Sequence, residues 1–156
     1  RYRLVTGVQT CALPISNGSG ATRVIGELYP FGFGLSYTTF AYSDLEVFPL
    51  QQHTQGEYAI KVNVTNTGKR AGDEVVQLYV RDKVSSVITY DSQLRGFERV
   101  SLQPGETRQV TFSLKPEDLQ ILDRNMNWTV EPGEFEVMIG ASSQDIRLKK
   151  TITALP

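Results

Sequence analysis

The stretch that decides the fold is "EYAIKVNVTNTGKRAGDEVVQLYVRD", residues 57–82. Its first half places an apolar side chain at every second position: Tyr58, Ile60, Val62 and Val64. Its second half does the same at Val76, Leu78 and Val80. A period of two indicates a half-buried strand, and the Asn- and Gly-rich "TNTGKRAGD" between the halves is typical of a turn. The stretch therefore predicts two strands joined by a turn.

The same alternation recurs on both sides of this stretch. It appears at Phe40 and Tyr42 and later at Leu45 and Val47, less cleanly through Phe97 and Val100, and then at Val110, Phe112, Leu114, Phe135, Val137, Ile139, Ile146 and Leu148. Pro116 and the two acids after it predict one short helical turn. About seven short strands separated by turn residues predict an all-β fold, a β-sandwich with an extended N-terminal linker.

Composition excludes two classes of partner. Lys and Arg number 16 against 17 Asp and Glu, so no strong positive field attracts nucleic acid. No apolar run approaches the ~20 residues that span a bilayer. We therefore expect neither a nucleic acid nor a membrane partner.

Residues 1–15 are predicted to have a different origin from the rest. Val5–Ile15, "VTGVQTCALPI", is the in-frame translation of a common sequencing adapter, so residues 1–15 are expected to be an adapter-derived artefact. The only cysteine, Cys11, lies in this stretch and therefore carries no information about redox compartment. We expect the natural N-terminus, with any targeting signal, to lie upstream of this sequence.

The sequence offers no catalytic group. The adjacent acids Asp73 and Glu74, like Glu117 and Asp118, are interpreted as solvated turn acids and helix-start acids, because sequence neighbours do not face one substrate. His53 lies in a polar stretch, read as a loop, with no second histidine to complete a metal site or a nucleophile pair. No catalytic, cofactor-binding or metal-binding residue is therefore predicted.

The sequence does not decide whether the chain has a carbohydrate-binding site. Trp128, Tyr79 and Tyr90 offer aromatic planes on which a sugar ring could stack, although a single tryptophan in a sandwich is more often a core or edge residue. Residues 82–93 form a long polar connection, which is the most plausible functional loop.

The segment "LYPFGFGLSYTTF", residues 28–40, is too broken by Pro and Gly for a helix or a central strand. It predicts a tight, aromatic-lined turn that docks on another surface. The segment resembles the point at which glycoside hydrolase family 3 enzymes, chiefly β-glucosidases and β-xylosidases, leave their α/β-sandwich domain. Residues 64–82, "LRGFERVSLQPGE" and "WTVEPGEFEVMIGASS" are similar, in family order, to the immunoglobulin-like, fibronectin type III-like domain that ends many members.

This resemblance implies a division of the chain and a parent enzyme. Residues 16–40 would be the remnant of the end of an α/β domain with its linker, and residues 41–156 the fibronectin type III-like β-sandwich. The parent would be a periplasmic or secreted retaining β-glycosidase. Its nucleophile and its acid/base would lie in an upstream barrel and α/β domain, so the present chain is expected to be inactive by itself.

Docking on those missing domains is expected at Tyr29, Phe31, Gly32, Phe33, Gly34 and Tyr37. The aromatics would pack the domain junction, and Gly32 and Gly34 would permit a close backbone bend. Two alternatives are a stand-alone carbohydrate-binding or adhesive sandwich, with an oligosaccharide or polysaccharide as its partner, and a structural spacer in a surface protein. A flat array of exposed aromatics would favour the carbohydrate-binding alternative.

Overall fold

The computed structural model describes residues 29–156, so the interpretation of residues 1–15 and of residues 16–28 lies outside the described part of the chain. The strands and the one helix are β1 Phe40–Phe48, β2 Gln51–His53, β3 Tyr58–Asn66, β4 Gly72–Asp82, β5 Gln93–Leu102, β6 Thr107–Leu114, α1 Pro116–Leu119, β7 Ile121–Leu122, β8 Trp128–Thr129, β9 Gly133–Gly140 and β10 Ile146–Leu155. Residues Phe31–Pro156 form one compact unit.

The strands build a sandwich. One sheet has three strands in the order β1-β3-β6, and the other has five in the order β2-β10-β9-β4-β5. Seven of these strands are at least eight residues long, which agrees with the predicted number. The predicted all-β sandwich is therefore confirmed.

The core lies between the two sheets and follows the predicted alternation. Tyr58, Ile60, Val62 and Val64 of β3 are completely buried, and they face Val76, Leu78 and Val80 of β4. Val110, Phe112, Leu114, Phe135, Val137 and Ile139 are buried in the same cluster. The helical turn predicted at Pro116 is present as α1.

A β-bulge explains the change of parity in β1. Phe40 and Tyr42 pack against the core, as do Leu45 and Val47, although the two pairs differ in parity. The register with β3 shifts between Ser43 and Glu46, and Asp44 between them has a φ of 53°. One extra residue at this point keeps the apolar side chains of both halves on the inner face.

Two local interpretations were wrong. Phe97, read with the alternating positions of β5, is 68% exposed on the outer face, whereas Val100 is buried. His53 lies in β2, a short strand parallel to β10, and not in a loop, although its side chain is exposed as expected. Between residues 29 and 156, no helix is long and apolar enough to cross a membrane.

Candidate domain-docking site

Residues 31–38, here called the arm, precede β1 and lie against the outer face of the five-stranded sheet. The Phe31 carbonyl oxygen accepts a hydrogen bond from the Ser143 backbone N–H at 2.9 Å. The Gly32 carbonyl oxygen accepts one from the Gln77 side-chain amide at 3.0 Å. Two backbone carbonyls therefore fix the start of the arm to the sandwich.

Gln77 is the centre of a buried polar network beneath the arm. Its side chain is 4% exposed, and its amide also donates to the Ala141 carbonyl at 2.7 Å. The Tyr79 hydroxyl donates to Gln77 Oε1 at 2.5 Å. Because every polar atom of the Gln77 side chain has a partner, the network holds the arm in one position.

Gly32 is required where the arm meets Gln77. Its φ is +77°, a region that residues with a side chain rarely adopt. A Cβ at this position would also lie 2.1 Å from Gln77 Oε1. At Gly34, by contrast, a Cβ would meet nothing within 4 Å, so the described residues impose no such requirement there.

Asn66 fixes the far end of the arm. This fully buried side chain accepts hydrogen bonds from the Thr38 hydroxyl at 2.7 Å and from the Gly68 N–H at 3.0 Å. Its amide donates to the Arg70 and Leu102 carbonyls at 2.7 and 3.0 Å. The turn between β3 and β4 therefore also anchors the arm.

Between these two anchors, the arm and the sheet enclose a groove of about 360 Å³, here called the arm groove. Its apolar lining comes from Phe31, Phe33, Leu35, Val75, Leu94 and Phe97. The exposed fractions are 63% for Phe31, 91% for Leu35 and 68% for Phe97. Such a concentration of exposed apolar side chains on one face marks an interaction surface.

The structure brings together four of the six predicted junction residues. Phe31, Gly32, Phe33 and Gly34 all line the arm groove. Tyr37 is 94% exposed but does not line this groove. Tyr29 is also exposed and falls outside the compact unit Phe31–Pro156.

Sequence reasoning missed the sheet side of the groove. Leu94, Val75 and Phe97 complete the apolar surface, and Gln77 and Tyr79 support it. Alternation alone does not show whether an outward side chain is covered by another segment. The signal was present in β4, where the outward positions next to the aromatic segment are Val75, Gln77 and Tyr79 and carry no charge.

A half-buried polar cluster adjoins the arm groove through Glu74, which is one of its lining residues. The Tyr42 hydroxyl donates to Glu74 Oε1 at 2.7 Å, and the Arg147 guanidinium lies 5.6 Å from the centre of the Tyr42 ring. Arg147 also pairs with Asp145 through two hydrogen bonds of 2.6 and 2.7 Å. Burial raises the pKa of the Glu74 carboxyl, and burial and the Glu74 hydrogen bond raise the pKa of Tyr42. The cluster ties β1 to β4 and β10.

The predicted acid positions have structural partners. Asp73 forms an ion pair with Arg99, and Asp118 Oδ2 accepts a hydrogen bond from the Lys115 N–H at 2.9 Å at the start of α1. Asp73 and Glu74 lie in β4 and not in a turn, and Glu74 is half-buried, which corrects that part of the interpretation. Among residues 29–156, no three His, Cys, Asp or Glu side chains are grouped so that they could hold a metal ion.

A second groove, here called the loop groove, has a volume of about 530 Å³. Its lining includes Ile88, Tyr90, Arg95, Gln120 and Trp128. Tyr90 and Trp128, two of the three aromatics considered for sugar stacking, are therefore brought together. The third, Tyr79, is 2% exposed, so it cannot present a face to a sugar.

Comparisons with known proteins agree with this fold. The profile of the fibronectin type III-like domain matches residues 74–143. A β-xylosidase from Formosa agariphila is 47% identical over 137 residues, which cover 86% of this chain and 19% of that protein. A β-glucosidase from Bacteroides ovatus is 44% identical over 127 residues, covering 81% of this chain and 17% of that protein.

Solved structures give the same result. A β-glucosidase structure from Erythrobacter marinus superposes with a TM-score of 0.79 at 40% identity, over 90% of this chain and 18% of that one. β-Glucosidase 3B from Thermotoga neapolitana superposes with a TM-score of 0.76 at 38% identity, over 83% of this chain and 18% of that one.

Fold and sequence together define a fibronectin type III-like β-sandwich. The chain belongs to the family 3 glycoside hydrolases of the β-glucosidase and β-xylosidase type, and it corresponds to their fibronectin type III-like part. It spans less than a fifth of the length of these relatives.

Proposed function

We propose that this chain is the C-terminal accessory domain of a β-glucosidase-type glycoside hydrolase that acts on β-linked glucosides. The domain contributes no catalytic group. It braces the catalytic barrel and α/β domains of the same enzyme, which dock in the arm groove.

The observation that carries this proposal is the apolar lining of the arm groove. Phe31, Leu35 and Phe97 expose most of their surface although they surround one cavity. Fully burying one such side chain is worth roughly 1.5–3 kcal/mol, so covering the groove would stabilise an interface by several kcal/mol. An apolar centre with aromatic anchors is also the composition of a protein–protein interface.

The construction of the arm supports a covalently connected partner. The arm is the first segment of the compact unit, and its two ends are fixed by Gln77 and Asn66. A domain connected to the preceding chain would therefore meet a surface that is already ordered. Preorganisation of this kind lowers the entropy cost of docking.

The alternative is a stand-alone carbohydrate-binding or adhesive module. The observation that favours it is the loop groove, where Tyr90 and Trp128 are 77% and 68% exposed. A module of this kind would bind sugar without any attached enzyme, and its arm groove would have no catalytic domain to cover it.

The experiment that decides between them begins with the gene. We expect the reading frame in source DNA to continue upstream of Leu28 into an α/β domain and a barrel. The purified full product should hydrolyse p-nitrophenyl β-D-glucoside, and the 156-residue chain should not. A start codon and signal peptide directly upstream of Leu28 would overturn the proposal and leave the stand-alone module.

A further inference from the structure

The loop groove has the features of a ligand site that is separate from the arm groove. The two grooves lie on opposite sides of β5, because Gln93 and Arg95 line the loop groove whereas Leu94 and Phe97 line the arm groove. A β-bulge in β5, where the register with β4 shifts between Leu78 and Tyr79, places Leu94 and Phe97 on the outer face and Gln93 on the inner face. The volume of the loop groove, about 530 Å³, is in the range of small-molecule sites.

The position of Trp128 is fixed by its hairpin. Trp128 pairs with Leu122 across the β7–β8 ladder. Asp123 Oδ1 accepts hydrogen bonds from the Asn125 and Asn127 N–H groups, both at 2.8 Å, and so holds the turn that leads into Trp128. The backbone that carries Trp128 is therefore held in place, and the residue is 68% exposed.

The loop that carries Tyr90 forms the opposite wall of the groove, and polar contacts also connect this loop to its neighbours. The Ser86 N–H donates to Glu131 Oε2 at 2.9 Å, and Lys83 Nζ lies 3.0 Å from Glu134 Oε2. Arg124 donates to the Ser86 carbonyl at 3.3 Å, which connects this loop to the β7–β8 hairpin. Hydrogen bonds therefore connect the backbone segments that form the two sides of the groove.

Arg95 lies between these walls and has unused hydrogen-bonding capacity. One guanidinium nitrogen donates to Gln93 Oε1 at 2.5 Å, while Nε is buried without a hydrogen-bond partner. A buried donor without a partner is costly, and a ligand that drew the guanidinium into the groove would relieve that cost. Gln120 adds an amide to the same lining.

The charges of the groove favour a neutral ligand. The positive charge of Arg95 is accompanied by the negative charge of Glu117 in the same lining, so there is no excess of either sign. Exposed aromatic faces next to hydrogen-bonding groups suit a molecule with apolar ring faces and hydroxyl edges. Sugars have this chemistry.

We propose that the loop groove binds a β-linked oligosaccharide, with one sugar ring stacked on Trp128 and a hydroxyl group hydrogen-bonded to Arg95. The choice of β-linked sugars rests on the proposed function, whereas the site itself rests on the side chains of the groove. Tyr90 forms the second aromatic wall.

The unique tryptophan makes the test direct, because Trp128 is the only tryptophan in the chain. Its fluorescence is followed in the 156-residue protein while cellotriose or xylotriose is added, with maltotriose as the α-linked control. We expect a saturable change with a β-linked sugar and none with maltotriose. No change with any sugar, or equal binding of maltotriose, would overturn the proposal.

Calorimetry on variants tests whether the sugar binds in the loop groove. Trp128→Ala should raise the dissociation constant about tenfold or more, equivalent to about 1.4 kcal/mol, whereas Trp128→Phe should change it by less than about threefold. Arg95→Lys should also weaken binding because the planar fork of donors is lost. Phe97→Ala in the arm groove is the matched control and should leave binding unchanged.

The outcomes separate this inference from the proposed function. Sugar binding that survived Trp128→Ala but was lost in Phe97→Ala would place the ligand in the arm groove and contradict both proposals. Absence of sugar binding together with normal docking on catalytic domains would contradict the loop-groove proposal alone.

Discussion

The arm groove and the loop groove both expose aromatic side chains, but they are built differently. The arm groove combines Phe and aliphatic side chains with Ser36, Asp73 and Glu74, and one of its walls is a segment of chain that the buried Gln77 fixes to the sheet. The loop groove is lined by aliphatic side chains and by two aromatic rings, together with a guanidinium, two amides and a carboxylate: Tyr90, Trp128, Arg95, Gln93, Gln120 and Glu117. The difference teaches that exposure alone does not define a partner. A groove walled by an anchored segment with exposed Phe and Leu side chains suits a folded domain, whereas Trp and Tyr rings beside a guanidinium suit a sugar.

The largest effect is expected at the centre of the network under the arm. Gln77→Ala removes one acceptor and two hydrogen bonds to backbone carbonyls, and it leaves the buried Tyr79 hydroxyl unpartnered. We expect the free energy of unfolding to fall by about 2–4 kcal/mol, measured by urea denaturation. Hydrogen exchange of the arm should rise at the same time.

The matched control for this variant is Gln109→Ala on β6, where the side chain is exposed. It should change stability by less than about 0.5 kcal/mol. If both variants destabilised the protein equally, Gln77 would not be the anchor of the arm.

The two glycines of the arm provide the next comparison. Gly32→Ala forces a side chain into the left-handed region and against Gln77, so we expect a loss of about 1–3 kcal/mol in thermal or urea unfolding. Gly34→Ala should stay within about 0.5 kcal/mol, because open space surrounds the added Cβ. Equal losses at both positions would contradict the asymmetry described for the arm.

The smallest effect concerns Glu74 beside the arm groove. Burial raises the pKa of its carboxyl, and this outweighs the opposing effects of the Tyr42 hydrogen bond and the Arg147 charge. A folded-state pKa above the unfolded value stabilises the fold below the unfolded pKa, and this contribution is lost as the pH rises through the folded pKa. Glu74→Gln keeps an acceptor for Tyr42 without the charge.

Relative to the unmodified protein, Glu74→Gln should therefore gain stability as the pH rises from about 4 to about 8, by a fraction of a kcal/mol. Urea unfolding at several pH values measures this trend. The exposed Glu98→Gln serves as the control. A relative loss of stability with rising pH would show that the Arg147 attraction dominates at Glu74.

The sequence predicted the sandwich well because alternation reports directly which side chains enter the core, as at Tyr58 to Val64. It also contained the β1 bulge, since the apolar parity changes between Tyr42 and Leu45. The sequence could not predict that Gln77 and Tyr79 are buried, because a period of two does not distinguish an outward side chain in water from one covered by another segment. Trp128 and Phe97 were ambiguous for the same reason.

The proposed docking in the arm groove is tested most directly by adding this chain to catalytic domains that are expressed from the natural gene after the region encoding this chain has been removed. Calorimetry should show association, and Phe97→Ser should weaken it by about tenfold or more. Ile88→Ser in the loop groove, where the side chain is even more exposed, should leave it unchanged. Association that Phe97→Ser did not weaken, or that Ile88→Ser weakened instead, would contradict the account.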